Sequence, residues 1–110
     1  MSVAKIILEQ LGGNKFAVMT GAKDFAPGTN DLSFSLPSTP HFVRSGINRV
    51  KITLNGSDTY DIEFARARGL KYMVVENHYD IYNDSLRSVF TKVTGLETSL
   101  GKIIFVGAEQ

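Results

Sequence analysis

Apolar and polar residues alternate most strictly between Arg49 and Phe64. Val50, Ile52 and Leu54 are interleaved with Arg49, Lys51 and Thr53. Beyond Asn55-Gly56-Ser57-Asp58, Tyr60, Ile62 and Phe64 are interleaved with Asp61 and Glu63. A period of two marks half-buried strands, and two such runs across a turn mark a hairpin. The apolar faces must coincide, because a slip of one residue would expose all of them. That condition pairs Leu54 with Tyr60, Ile52 with Ile62 and Val50 with Phe64, and leaves Gly56-Ser57-Asp58 as a three-residue loop. The register is also expected to set Lys51 against Asp61 and Arg49 against Glu63, two pairs of opposite charge.

Other stretches follow the same logic. Leu32, Phe34 and Leu36 alternate with Asp31, Ser33 and Ser35, a strand that is wet on its serine side. Pro37 and Pro40 end it, and Pro37 to Gly46 is the longest irregular stretch. Lys15 to Thr20 reads as a strand with apolar groups on both faces, and Pro27 to Asn30 as a loop. A turn at Ala67-Arg68-Gly69 leads into a strand over Leu70 to Val75. Leu70, Tyr72 and Val74 fall on one face and Lys71, Met73 and Val75 on the other, which predicts a central or helix-covered strand. Residues 2 to 11 predict a helix with Ser2 as cap, Ile6, Ile7 and Leu11 on one face, and Gly12-Gly13 as its stop. Asp84 caps a more regular helix with Leu86, Val89, Phe90 and Val93 on one face and Gly95 just past its end. Lys102 to Val106 reads as a short final strand. The fold class is therefore α+β: an N-terminal helix, a twisted and mostly antiparallel sheet, one amphipathic helix on a sheet face and a short C-terminal strand. With 110 residues, the expected organisation is a single domain over 1–110.

Composition narrows the functional classes. Cysteine is absent, which excludes disulfides, thiolate metal sites and cysteine nucleophiles. Twelve Lys and Arg against eleven Asp and Glu give a net charge of +1, so bulk charge points to neither nucleic acid nor membrane. The apolar run Ile6 to Leu8 is cut by Glu9 and is too short for a signal-peptide core. No stretch approaches the ~18 apolar residues that span a bilayer, and a soluble, intracellular chain is expected. G-x-S-x-G, Walker A, G-x-G-x-x-G and H-E-x-x-H patterns are missing, and with two histidines the catalytic inventory is thin. No enzyme activity and no cofactor are expected.

Four constellations could carry chemistry. Glu76-x-His78-x-Asp80 would point three metal-ligand or acid/base side chains to one face if the strand continued, against the plainer reading of a polar strand end running into a loop over Tyr79 to Asn83. Asp61-x-Glu63 resembles the paired acids of Mg²⁺-dependent nucleases, but position 65 is Ala where a lysine is usual, and Lys51 and Arg49 already account for the acids. Arg66-Ala67-Arg68-Gly69 with Lys71 offers guanidinium forks and N–H groups to phosphate, extended by Arg44, Arg49 and Lys51 if the strands adjoin. Tyr60, Tyr72, Tyr79 and Tyr82 are potential stacking groups for bases, although Tyr60 and Tyr72 are expected in core or rim. Tyr79 and Tyr82 suit a protein interface equally with packing on the next helix, and Ile81 suits a staple onto that helix.

Leu11 to Lys23, Val50 to Asn55, Asp58 to Phe64, Arg68 to Tyr72 and Phe90 to Leu96 together resemble a family of small proteins encoded by bacteriophages and prophages. The resemblance is one of overall pattern, runs to about Leu100, leaves Gly101 to Gln110 outside and carries over no catalytic residue. It implies a phage accessory protein in the cytoplasm of a bacterial host. The expected function is non-enzymatic binding of a host or anti-phage defence protein, as an inhibitor, through Tyr79, Tyr82, Arg66 and Arg68. The first alternative is a nucleic-acid-binding module using Arg44, Arg66, Arg68 and Lys71. The second is a small metal-dependent enzyme built on Glu76, His78 and Asp80. No membrane partner is expected. Pairing of two copies through an unpaired edge is open to the Leu32 to Leu36 strand or the C-terminal strand.

Overall fold

The computed structural model describes residues 3–37 and 46–96. Helices α1 (Val3–Leu11) and α2 (Asn14–Thr20) open the chain. Strands β1 (Lys23–Pro27), β2 (Asp31–Ser35), β3 (Arg49–Leu54), β4 (Tyr60–Arg68) and β5 (Lys71–Ile81) follow. A 3-10 turn at Asn83–Ser85 leads into α3 (Leu86–Thr94). The strands form one antiparallel meander in chain order, β1-β2-β3-β4-β5. The α+β reading therefore holds. Ser2, Arg44, most of the irregular stretch expected over Pro37 to Gly46, and the expected strand at Lys102 to Val106 lie outside the described residues.

The core fills the helix-covered side of the sheet. Leu32, Phe34, Val50, Ile52, Ile62 and Phe64 are buried there. From α1 come Ala4, Ile7 and Leu11, at the spacing of one helical face. From α3 come Leu86, Phe90 and Val93. Phe16 of α2 joins the layers, its ring 5.4 Å from Phe34 and 5.2 Å from Phe90 in edge-on contacts.

The central hairpin has the register set by its apolar faces: Leu54 faces Tyr60, Ile52 faces Ile62 and Val50 faces Phe64. The loop is Gly56-Ser57-Asp58, with Asp58 in the left-handed region at φ 65°. The expected charge pairs are corrected by one step. Lys51 faces Glu63, Thr53 faces Asp61 and Arg49 faces Ala65. Lys51 with Asp61 and Arg49 with Glu63 are thus diagonal neighbours.

Lys15 to Thr20 is helical and not a strand. Phe16 and Thr20, four apart, are buried, whereas Val18 between them is 82% exposed. Thr20 Oγ1 donates to the Phe16 carbonyl, and Gly21, at φ 75°, closes the helix by donating its N–H to the Ala17 carbonyl. The helix before Gly95 begins at Leu86 with Ser85 at its cap position, and Asp84 lies in the preceding 3-10 turn. β2 is an interior strand between β1 and β3, so it is not the free edge that its sequence allowed. Among the described residues the two edges are β1 and β5. β5 is neither central nor helix-covered, and most of its side chains are exposed.

Candidate functional site

β4 and β5 are joined by a two-residue turn, Gly69-Leu70, with Arg68 facing Lys71 and Gly69 at φ 57°. Ala67 faces Tyr72 and Ala65 faces Val74, then the ladder shifts by one residue at Val75 so that Phe64 faces Glu76. The inserted residue changes which positions of β5 face each side. Tyr72, Val74, Asn77 and Tyr79 lie on the open side, whereas Met73, Glu76 and His78 lie on the helix side. The Phe64 and His78 rings meet edge-on at 5.9 Å on that side.

The open side carries a shallow furrow. One part is lined by Ser33, Ser35, Arg49, Lys51 and Tyr72, and the next by Thr53, Asp61, Glu63, Asn77 and Tyr79, with Lys51 common to both. At about 290 and 260 Å³ these hollows fall below the usual small-molecule cleft, which runs from ~300 Å³ upward. Tyr79 is 64% exposed and Tyr82, just beyond the strand, 68%. Tyr72 is 55% exposed, and its hydroxyl donates to Glu63 Oε2 at 2.6 Å. Partial burial, then the hydrogen bond to Glu63 and that carboxylate's charge, push the Tyr72 phenol up to about 12, with Arg49 acting in the opposite direction. Tyr60 is buried as expected and donates to Gln10. Burial and the charge of Asp58 raise its phenol, against the effect of the Gln10 bond.

The basic turn forms a second hollow, of about 220 Å³, lined by Arg66, Arg68, Lys71 and Met73. Arg66 Nη2 lies 3.5 Å from Met73 Sδ. A β-carbon on Gly46, at φ 69°, would stand 3.1 Å from Arg66 Cδ, so the glycine makes room for that side chain. The four residues expected to act together are divided. Arg66 and Arg68 lie on β4 beside one end of β5, facing Met73 and Lys71, whereas Tyr79 lies near the other end, six residues or about 20 Å along the strand from Met73, with Tyr82 just beyond it. Tyr72, expected in core or rim, is the aromatic group that shares the open side with Tyr79.

The acidic constellations are held by neighbours. Strand β5 does continue through Glu76 and His78, and His78 Nε2 lies 2.9 Å from Glu76 Oε1. Asp80 departs from them: it sits at φ 57°, and its Oδ1 accepts from Asn55 Nδ2 and Thr59 Oγ1. The three-ligand face is thereby broken, and among the described residues no group of three His, Asp or Glu converges to hold a metal ion. Asp61 Oδ1 accepts from Asn55 Nδ2 and from the Asp80 N–H, while Glu63 accepts from Tyr72. Ile81 is half-buried against the core, whereas Tyr79 and Tyr82 are exposed.

Sequence reasoning missed two asparagines that shape this surface. Asn48 lies just before β3, where its Nδ2 donates to the Ala67 carbonyl and its Oδ1 accepts from the Ala67 N–H. Asn55 Oδ1 accepts from the N–H groups of Ser57 and Thr59. Asparagine beside a turn is a common Asx signal, which makes Asn55 findable in principle. Nothing local marks Asn48, whose partner is 19 residues away. No described helix is long and apolar enough to cross a membrane. The chain matches no protein-family model, no curated protein and no solved structure.

Proposed function

We propose that the chain is a non-enzymatic phage accessory protein of the host cytoplasm, which binds and inhibits a host or anti-phage defence protein. The observation that carries this reading is the exposure of Tyr72, Val74 and Tyr79 along the open side of β5, with Tyr82 just beyond. Tyrosine gives broad, amphipathic contact at low entropic cost, and it is enriched where proteins meet. The charges around the tyrosines are mixed: Arg49 and Lys51 stand among Asp31, Asp61 and Glu63. Such a face has little net field to attract a polyanion. The phage context rests on the sequence resemblance.

The test is capture of partners from host lysate by the tagged chain, with and without nuclease, read by mass spectrometry. A protein recovered equally after nuclease treatment, and lost with Tyr79→Ala, supports the reading. Recovery that depends on nucleic acid, or that ignores Tyr79, overturns it.

A nucleic-acid module is the second reading. It draws support from the convergence of Arg66, Arg68 and Lys71 on one hollow, with no acidic residue among its described lining. It predicts binding that weakens steeply with salt and is abolished by Arg66→Glu with Arg68→Glu.

A further inference from the structure

No described residue pairs with β5 on the side away from β4. Natural edges are ordinarily kept short or protected by charge, proline or bulges, and β5 does carry Lys71, Glu76, Asp80 and two steps at which its register with β4 shifts. β5 runs for eleven residues without proline, and Tyr72, Met73, Val74 and Tyr79 on it are exposed. The residue inserted at Val75 also gives this edge an internal symmetry. Counted outward from the Val75–Glu76 peptide, Val74 and Asn77 share the open side, Met73 and His78 share the helix side, and Tyr72 and Tyr79 share the open side again. In an unbroken strand the members of each pair, an odd number of residues apart, would point to opposite faces. The inserted residue brings them into phase, which is the condition a strand must meet to pair with itself about that peptide.

We propose that β5 pairs antiparallel with β5 of a second copy, on a two-fold axis through the Val75–Glu76 peptide, joining two sheets of five strands into one of ten. Val74 of each copy then faces Asn77 of the other, Met73 faces His78 and Tyr72 faces Tyr79. Both strands carry the insertion at the same step, so the four residues on either side stay in count. Lys71 of each copy reaches the end of the other where the Asp61 and Asp80 carboxylates gather around Asn55. The occupant is a second copy because the matching faces and the opposite charges at the two ends are self-complementary, a property that a foreign strand does not require. The contact engages the strand edge, and the open face stays available. The two Tyr72–Tyr79 pairs place four tyrosines in the middle of the joined open face. The inference stands apart from the inhibitor reading: a monomer that captures a partner, or a dimer that captures none, would separate the two.

The chain has no cysteine, so single thiols report the register without further engineering. Val74→Cys and Asn77→Cys are made separately in the full chain and oxidised alone and as a mixture. The register brings Cys at 74 of one copy against Cys at 77 of the other. Like thiols stand about 10 Å apart, beyond disulfide reach. The expected result is a cross-linked dimer from the mixture and little from either variant alone. Sedimentation of the unmodified chain at about 0.1 mM, suited to an interface at the small end of the range, should give twice 12.1 kDa. Tyr72→Lys with Tyr79→Lys, which puts like charges across the axis, should return it to 12.1 kDa with an unchanged circular dichroism spectrum. A 12.1 kDa particle from the unmodified chain overturns the proposal, whether its edge is bare or covered by residues 97–110. Each variant cross-linking to itself as readily as to the other also overturns it.

Discussion

Asn48 and Asn55 each use both ends of a side-chain amide to hold the sheet around the candidate surface. Asn48 extends the β3–β4 ladder by exchanging two hydrogen bonds with Ala67, next to the basic turn. Asn48→Ala leaves the Ala67 N–H and C=O without these partners and should cost about 2 kcal/mol, measured by urea denaturation. Asn55 ties the hairpin loop to Asp61 and Asp80, so Asn55→Ala should destabilise by about 1 to 2 kcal/mol and speed amide exchange at Asp80. Tyr72 reports on pH. Its phenol titrates near 12 in the folded chain against an ordinary value of 10.0. Below the ordinary value, folded and unfolded chains both keep the proton. Between the two values the unfolded phenol ionises first, so stability should fall as pH rises from 10 toward 12. Tyr60, also raised, adds to the fall with the same sign. Tyr72→Phe should remove part of this fall and, in an ultraviolet titration, the phenol that ionises near 12.

At the scale of elements, the Lys15 to Thr20 segment separates helix from strand by a simple comparison. In a strand Phe16, Val18 and Thr20 would share a face. In helix α2, Phe16 is fully buried and Val18 points to solvent. Phe16→Ala should therefore cost about 3 to 5 kcal/mol and Val18→Ser less than about 0.5 kcal/mol, by thermal or urea melts. Equal large losses would indicate a strand. The hairpin of β3 and β4 was legible because its alternation admits a single register. So was α3, whose apolar residues repeat at helical spacing before a left-handed Gly95. Lys15 to Thr20 was not legible, because its four-residue apolar run, Phe16 to Met19, fits either period and the layer between Phe34 and Phe90 decides. β5 misled for a different reason. Apolar groups on both faces ordinarily signal burial, and here they lie along an exposed edge. The bulges at Val75 and Asp80, which decide the faces of Tyr72, Tyr79 and the Glu76–His78 pair, depend on pairing with β4 and leave no local mark. The candidate tyrosines and arginines were visible one by one, but not their separation along β5.

At the scale of the whole molecule, the sheet divides the protein into unlike sides. Among the described residues three α-helices cover one side and hold the phenylalanine-rich core. The other side carries no described helix and shows mixed charge, with tyrosines along the β5 margin. The proposed function requires that this margin, and not the basic turn, grips a protein partner. The most direct measurement is the affinity of the nuclease-resistant partner for the unmodified chain, for Tyr72→Ala and Tyr79→Ala, and for Arg68→Glu, each shown to be folded. Interface anchors typically lose ~2 kcal/mol or more on truncation, and rim charges far less. Losses of that order are expected for Tyr79→Ala, somewhat less for Tyr72→Ala, and a change within a few-fold for Arg68→Glu. Loss of binding on Arg68→Glu with both tyrosine variants unaffected would contradict the proposed function.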